Sequence, residues 1–152
     1  CQKIVWKQIK QGIESINKKI LGENCEFLFK QIKIEKNIYL VEDDADIREL
    51  IRYLLSKYGY NVFQCATAHI FREKMKELFP DLIILDIMLP DGNGVDICTE
   101  IKSNEATRHI PVLLMSANIN NALKFNESAA EGFISKPFNI DDLLEKVQHI
   151  VA

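Results

Sequence analysis

Residues 81–94 read Asp81-Leu-Ile-Ile-Leu-Asp-Ile-Met-Leu-Pro-Asp-Gly-Asn-Gly94. Four aliphatic residues between charged and turn-forming residues are typical of a short strand buried on both faces of a parallel sheet. The Pro-Asp-Gly-Asn-Gly run that follows predicts a tight turn. The strand therefore ends at Asp86, and in open parallel sheets the functional crevice lies beyond the carboxyl ends of the strands. Asp86 is the first candidate for a functional residue, and a solvated acid at a strand end is the alternative.

Length and charge restrict the domain organisation. With 152 residues and 47% hydrophobic content, the chain can bury one full core, which predicts one domain and an appendage. The net charge of −3 argues against direct binding of nucleic acid over the whole surface. Residues 1–36 carry eight Lys and four Glu, whereas the remainder has 11 basic and 18 acidic residues. The main domain is therefore acidic.

Cysteine usage and hydropathy give an expected location. The four cysteines are far apart and form no C-x-x-C pattern, which is typical of reduced thiols in a cytosolic protein. No apolar run approaches the length of a membrane span, and no signal peptide is visible. We therefore expect a cytoplasmic protein without a membrane span. Residue 1 is Cys rather than Met, which leaves open whether the native N-terminus is present.

Residues 1–36 predict a helical extension. Within residues 3–21, isoleucines recur at intervals of four, three and four with lysines around them, as in an amphipathic helix that needs a partner surface. Residues 25–34 alternate weakly, which indicates a strand or an extended linker. A docking or dimerising helix is the favoured interpretation over a membrane or nucleic-acid contact. A remnant of a preceding domain is the other alternative.

From residue 37, predicted strands and helices alternate. The apolar runs predict strands at residues 38–41, 60–65, 82–85, 111–115 and 133–135. Helical spacing predicts helices near residues 47–58, 67–78, 95–102, 119–130 and 140–151, with Thr67 and Asn139 as caps. Such alternation requires right-handed crossovers and a parallel sheet covered on both faces. The predicted fold class is α/β, a flavodoxin-like doubly wound five-stranded parallel sheet of order 2-1-3-4-5 with a short N-terminal helical extension.

In this strand order the first and third strands are neighbours, so the acids that follow them converge. Glu42 and Asp43 follow the first strand, and Asp86 follows the aliphatic run of the third. Three carboxylates in one crevice repel one another and raise each other's pKa values unless a cation neutralises them. A small, hard divalent ion such as Mg²⁺ suits an all-oxygen site of this kind.

The fourth and fifth strands end at the same rim. Ser116 follows the fourth strand and Lys136 the fifth. A metal ion, an ammonium group and a hydroxyl around one carboxylate balance the charge on a phosphoryl group during transfer. Asp86 is then the expected nucleophile, because carboxylates serve as phosphoryl acceptors. Taken singly, Ser116 is better explained as a helix cap and Lys136 as a solvated side chain, so the joint placement carries the prediction.

Four segments together resemble the receiver domain of bacterial two-component response regulators. They are Tyr39-Leu-Val-Glu-Asp-Asp44, Leu85-Asp-Ile-Met-Leu-Pro-Asp-Gly-Asn-Gly94, Leu114-Met-Ser-Ala117 and Phe133-Ile-Ser-Lys-Pro-Phe138. The resemblance implies a receiver, or phosphoacceptor, domain over residues 37–152. It also implies that Asp86 accepts a phosphoryl group from a histidine kinase or phosphotransfer protein. Such a domain is a signalling module that catalyses only its own phosphorylation and dephosphorylation.

The resemblance also implies how the metal is held. Asp43 and Asp86 are expected to bind Mg²⁺ directly, with the Met88 carbonyl as a further ligand. Glu42 is expected to act through water. The side chains of Met88 and Asn118 flank the site at positions that tune hydrolysis in this family.

A conformational switch is implied as well. Lys136 is expected to contact the phosphoryl group and Ser116 to hydrogen-bond to it after transfer. The Lys136–Pro137 peptide is expected to be cis, which proline makes accessible. Phe133 is the aromatic residue expected to move inward when Ser116 moves. A downstream protein partner, or a second copy of the chain, would then read the changed surface.

Two hypotheses about the output follow. The chain is either a stand-alone receiver that acts by protein contact or in a phosphorelay, or a C-terminal receiver fragment of a hybrid histidine kinase. A phosphatase of the haloacid dehalogenase type also uses an Asp nucleophile after a parallel strand. It is disfavoured, because Met88 stands where the second Asp of its D-x-D pattern is required.

Overall fold

The computed structural model describes residues 5, 7–13, 15, 35–118, 120 and 128–151. The chain divides into two compact units, Cys1–Ile34 and Glu35–Ala152. In the first unit residues 7–13 are helical, as the isoleucine spacing predicts, and the side chains of Ile9 and Ile13 are exposed. The alternating segment at residues 25–34 lies outside the described residues.

The second unit contains a five-stranded parallel sheet. Its strands are β1 (Asn37–Val41), β2 (Asn61–Cys65), β3 (Leu82–Asp86), β4 (Val112–Ser116) and β5 (Gly132–Ser135). They lie in the order β2-β1-β3-β4-β5, and each neighbouring pair is parallel. Every residue of β3 and β4 is buried, as their continuous apolar runs predict. The predicted flavodoxin-like sheet is confirmed.

Helices cover both faces of this sheet. The described helices of the second unit are α1 (Ala45–Lys57), α2 (Ala68–Glu77), α3 (Gly94–Ser103) and the C-terminal helix (Ile140–Val151). Most of the helix predicted at residues 119–130 lies outside the described residues. Within the described part of the chain, no helix is both long and apolar enough to cross a membrane.

Two hydrophobic clusters form the core, because successive strand residues point to opposite faces. One cluster packs Phe71 of α2 and Ile97 of α3 against the sheet. The other packs Ile51 of α1 and Val147 of the C-terminal helix against the opposite face. Full burial of one such side chain contributes about 1.5–3 kcal/mol, so the sheet and its helices stabilise each other.

Local signals set the helix ends. The side chains of Thr67 and Asn139 accept hydrogen bonds from backbone N–H groups in the first turns of α2 and the C-terminal helix, as predicted. Gly59 follows α1 with a φ of 85°, a conformation that favours glycine. Helix α1 begins earlier than predicted because the Asp44 carboxylate caps its first turn.

The segment after β3 is more regular than the predicted turn. Residues Met88–Leu89 and Gly92–Asn93 pair as an antiparallel ribbon, and such short strands give no periodic signal. Gly94 then begins α3, and its N–H donates to the carbonyl of Ile87 at 2.8 Å. A Cβ at Gly94 would lie only 2.7 Å from the Cα of Ile87. Glycine therefore lets α3 begin directly against the end of β3.

Candidate functional site

Three carboxylates meet at the carboxyl ends of β1 and β3. Glu42 and Asp43 follow β1, and Asp86 is the last residue of β3. One carboxylate oxygen from each lies within 4.8 Å of the other two. Glu42 and Asp86 are buried, with 1% and 5% of their surface exposed, whereas Asp43 is exposed. The structure thus brings together the three acids named from the sequence and leaves one of them open to solvent.

Lys136 joins two of these acids. Its Nζ donates to Oε2 of Glu42 at 2.5 Å and to Oδ2 of Asp86 at 2.9 Å. The lysine follows β5, and its backbone N–H donates to the carbonyl of Ser116 at 2.8 Å. The Lys136–Pro137 peptide is cis, as the resemblance implies.

The Asp86 carboxylate is held from two directions. Its Oδ1 accepts from the backbone N–H of Met88 at 3.0 Å, while Oδ2 accepts from Lys136. The next peptide is fixed to the neighbouring strand, because the N–H of Ile87 donates to the Met115 carbonyl at 2.9 Å. The Met88 side chain is 66% exposed, and the use of its carbonyl as a metal ligand stays a prediction.

The electrostatics of the site follow from burial. Burial raises the pKa of Glu42 to about 7, although the hydrogen bond from Lys136 acts to lower it. Burial alone would lower the pKa of Lys136, but its hydrogen bonds to Glu42 and Asp86 leave that pKa raised. Lys136 is therefore an ammonium ion at neutral pH. One positive group faces three acids.

The donor set suits a hard divalent cation. The three side chains of the cluster offer carboxylate oxygens, and hard cations such as Mg²⁺ and Ca²⁺ prefer oxygen to nitrogen or sulfur ligands. Once Glu42 is ionised, the single ammonium of Lys136 cannot balance the three carboxylates, and a bound cation would offset the remaining repulsion. Across the ranges that the structure describes, no other group of acidic, His or Cys side chains is arranged to hold a metal ion.

Ser116 lies on β4 and Phe133 on β5, the two neighbouring strands next to Lys136. Ser116 is the last residue of β4, is 1% exposed, and its Oγ accepts from the backbone N–H of Asn118 at 3.1 Å. Phe133 of β5 is partly buried and packs against the core cluster of α2 and α3. The roles that the resemblance implies for these two residues stay predictions.

Two residues that support the site were not predicted. Arg48 of α1 donates to the backbone carbonyls of Glu42 and Asp43. Asp91 accepts hydrogen bonds from the first two N–H groups of α2, which lowers its pKa. Both contacts are made to backbone atoms, so no spacing of side chains could have revealed them. The Pro-Asp-Gly pattern marks Asp91 as a turn residue, but it does not indicate that Asp91 binds the first turn of α2.

Known proteins are similar to this chain in sequence and in fold. The family model described as "Response regulator receiver domain" matches residues 38–148. Histidine kinase P4 of Formosa agariphila is 34% identical over 121 residues, which are 78% of this chain and 9% of that protein. The phosphate regulon regulatory protein PhoB of Escherichia coli is 30% identical over 118 residues, 76% of this chain and 52% of PhoB. The transcriptional regulator RpaA of Synechocystis is 32% identical over 116 residues, 75% of this chain and 48% of RpaA.

The chain thus spans about half the length of these two regulators and a small part of the kinase. Among solved structures, the receiver domain of a histidine kinase from Syntrophus aciditrophicus has a TM-score of 0.72 and 26% identity, covering 76% of this chain and 89% of that one. TrrA from Thermotoga maritima has a TM-score of 0.69 and 30% identity, covering 76% and 98%. The resemblance seen in four short segments is confirmed, and the chain belongs to the response regulator receiver domain family, whose members are phosphoacceptor signalling domains.

Proposed function

We propose that Asp86 accepts a phosphoryl group from a histidine kinase or a phosphotransfer protein. The observation that carries this proposal is the bridge from Lys136 to the buried Asp86 carboxylate, 2.9 Å long, beside two further acids. In this proposal the domain works in the cytoplasm and catalyses only its own phosphorylation and dephosphorylation. Outside that chemistry it is a signalling module rather than an enzyme.

The proposed cofactor is Mg²⁺. Asp43 and Asp86 are assigned as direct ligands, Glu42 acts through water, and the Met88 carbonyl completes the protein ligands. When bound, the ion supplies positive charge that offsets the carboxylates and the incoming phosphoryl oxygens. The related TrrA was solved in complex with Mg²⁺ and beryllium fluoride, and a divalent ion in that relative supports Mg²⁺ as the proposed cofactor here.

In the proposed transfer, an Asp86 oxygen forms a bond to phosphorus while the bond from phosphorus to the donor's histidine nitrogen breaks. The Met88 N–H holds one carboxylate oxygen, so the attacking group is oriented before the donor arrives. Lys136 carries three N–H donors, and we assign one of them to the transferred group. Its positive charge then offsets negative charge that builds up on the phosphoryl oxygens.

The proposed output is a change of surface. An aspartyl phosphate brings additional negative charge and acceptor oxygens, as other phosphorylations do. Ser116 would turn its hydroxyl from the Asn118 N–H toward these oxygens, and Phe133 would fill the space it leaves. The surface formed by β5 and the C-terminal helix would shift between two populations. We propose that a downstream protein, or a second copy of the chain, reads this surface.

The acidic main domain makes direct binding of nucleic acid an unfavourable output. PhoB and RpaA are named as transcriptional regulators and histidine kinase P4 as a kinase, so receivers related to this one work within several kinds of larger protein. The alternative hypothesis is that this receiver is part of a hybrid histidine kinase or an intermediate in a phosphorelay. Asp86 would carry out the same chemistry in either case.

The test is intact-mass analysis after incubation with acetyl phosphate, with and without Mg²⁺. We expect the wild type to gain one phosphoryl group only in Mg²⁺, and Asp86→Asn to gain none. Asp96→Asn is the matched control, because Asp96 is an exposed acid in the first turn of α3. It should be labelled like the wild type. Labelling of Asp86→Asn at the wild-type level would contradict the proposal.

A further inference from the structure

Arg48 makes an unusual set of contacts for a residue in the first turn of a helix. Its Nη1 donates to the backbone carbonyl of Glu42 at 2.8 Å and to that of Asp43 at 3.3 Å. Its Nε donates to Oε1 of Gln64 at 3.3 Å. Gln64 lies on β2, beside Leu40 of β1. One guanidinium therefore connects α1, β2 and the chain leaving β1.

These contacts act on the peptide units that carry two of the proposed metal-binding carboxylates. A carbonyl that is fixed in place fixes the plane of its peptide, and with it the direction in which the side chain leaves the backbone. Only an arginine offers five donors in a rigid planar fork that can reach two carbonyls and a side-chain amide together. The Glu42 peptide is also tied to β2, because its N–H donates to the Cys65 carbonyl at 3.1 Å.

We propose that Arg48 is a positioning residue for the Mg²⁺ site: it holds the Glu42 and Asp43 backbone so that their carboxylates face Asp86. The inference rests on the proposed function of Asp86 and extends it to a residue outside the acidic cluster. Arg48 acts through the backbone of the ligands and touches neither the phosphoryl group nor the metal.

Two effects of Arg48 on Mg²⁺ affinity have opposite signs, so the direction of change separates them. As a nearby positive charge, Arg48 repels a cation, and its removal would strengthen Mg²⁺ binding. As a positioning residue it preorganises the ligands, and its removal weakens binding. Arg48→Lys keeps the charge but loses the planar fork, whereas Arg48→Met loses both. Positioning therefore predicts weaker binding in both variants.

The experiment is calorimetric titration of the full chain with MgCl₂, which measures binding without any phosphorylation step. We expect the dissociation constant for Mg²⁺ to be about tenfold higher in Arg48→Met. This is the lower end of the loss of affinity that is usual when a residue supporting the metal ligands is removed. Arg48→Lys, which can still reach one carbonyl, should show an increase of about threefold. The matched control is Arg72→Met on α2, where the guanidinium pairs with Glu100 on the exposed surface. Its affinity should equal that of the wild type.

Unchanged or stronger Mg²⁺ binding in folded Arg48→Met would overturn the inference. Circular dichroism checks folding, and if Arg48→Met does not fold, Arg48→Lys decides: weaker binding supports positioning and wild-type binding overturns it. The proposed function fails in a different way, when the wild type itself neither binds Mg²⁺ nor takes up phosphate. Wild-type phosphorylation combined with unaltered Mg²⁺ affinity in both Arg48 variants overturns only the role of Arg48.

Discussion

Lys136 holds the site together at the scale of single residues. Its ammonium group forms ion pairs with both Glu42 and Asp86, and all three side chains are largely buried. Removing one partner from such an arrangement leaves buried charge unbalanced, which is why the site depends on the whole set. Burial is also the main cause of the raised pKa of Glu42, with a smaller contribution from the charge of Asp86, so the protonation of Glu42 should affect the stability of the domain.

Glu42 should make the metal-free domain less stable as pH rises. Its folded-state pKa is about 7 against an ordinary value of 4.5, so the folded state binds the extra proton between these values. Stability from this group is present below 4.5 and is lost as pH rises toward 7, with a slope of at most about 1.4 kcal/mol per pH unit. Urea unfolding in EDTA at about pH 5 and about pH 7 measures this slope. The Glu42→Gln variant should lack the part of the pH dependence that Glu42 causes. Equal slopes in both proteins would contradict the assignment.

Gly94 should not tolerate a side chain. A Cβ there would overlap the backbone of Asp86 and Ile87, which cannot move without shifting the end of β3. We expect Gly94→Ala to lower the free energy of unfolding by about 1–3 kcal/mol, the usual effect of forcing extra atoms into a packed site. Gly92→Ala is the control, because its Cβ would meet the Cβ of Ala68 at an ordinary 3.4 Å. Equal urea midpoints for the two variants would show that a Cβ at Gly94 does not destabilise the fold.

At the scale of elements, Asp91 connects the ribbon after β3 with α2. Its two carboxylate oxygens accept from the N–H groups of Ala68 at 2.9 Å and His69 at 3.0 Å, and these bonds hold its pKa below the ordinary value. Asp91→Ala should therefore speed amide exchange at Ala68 and His69, while amides of the C-terminal helix keep their rates. Because the folded pKa is lowered, this support is full above the ordinary value and is lost as pH falls through the folded one. Unchanged exchange rates at both amides would show that Asp91 does not stabilise the first turn of α2.

Elements with strong periodic patterns were predictable, and contacts between distant backbone groups were not. The apolar runs of β3 and β4 and the capping residues Thr67 and Asn139 carry local signals, and the structure confirms them. The convergence of acids followed from strand order alone. Arg48 and Asp91 bind backbone atoms brought close only by the fold, so nothing in the spacing of the sequence indicates their partners.

At the scale of the whole molecule, the receiver unit should fold without the preceding segment. Among the residues that the structure describes, both core clusters lie between Ile38 and Val151, and Lys36 donates to the Val151 carbonyl at 2.8 Å. We propose that a fragment beginning at Glu35 keeps the urea midpoint of the full chain and its Mg²⁺-dependent phosphorylation. A fragment beginning at Asn37 lacks the Lys36 contact and should be slightly less stable. A Glu35 fragment that fails to fold would mean that residues 1–34 form part of the domain.

The central claim is that one carboxylate among three carries the phosphoryl group. It is tested most directly by treating the wild type with acetyl phosphate and Mg²⁺, reducing the product with borohydride, and sequencing the peptides by mass spectrometry. Borohydride converts a phosphorylated aspartate to homoserine and so marks the acceptor. We predict homoserine at position 86 and unmodified Asp43. Homoserine at another acid, with Asp86 intact, would contradict the account.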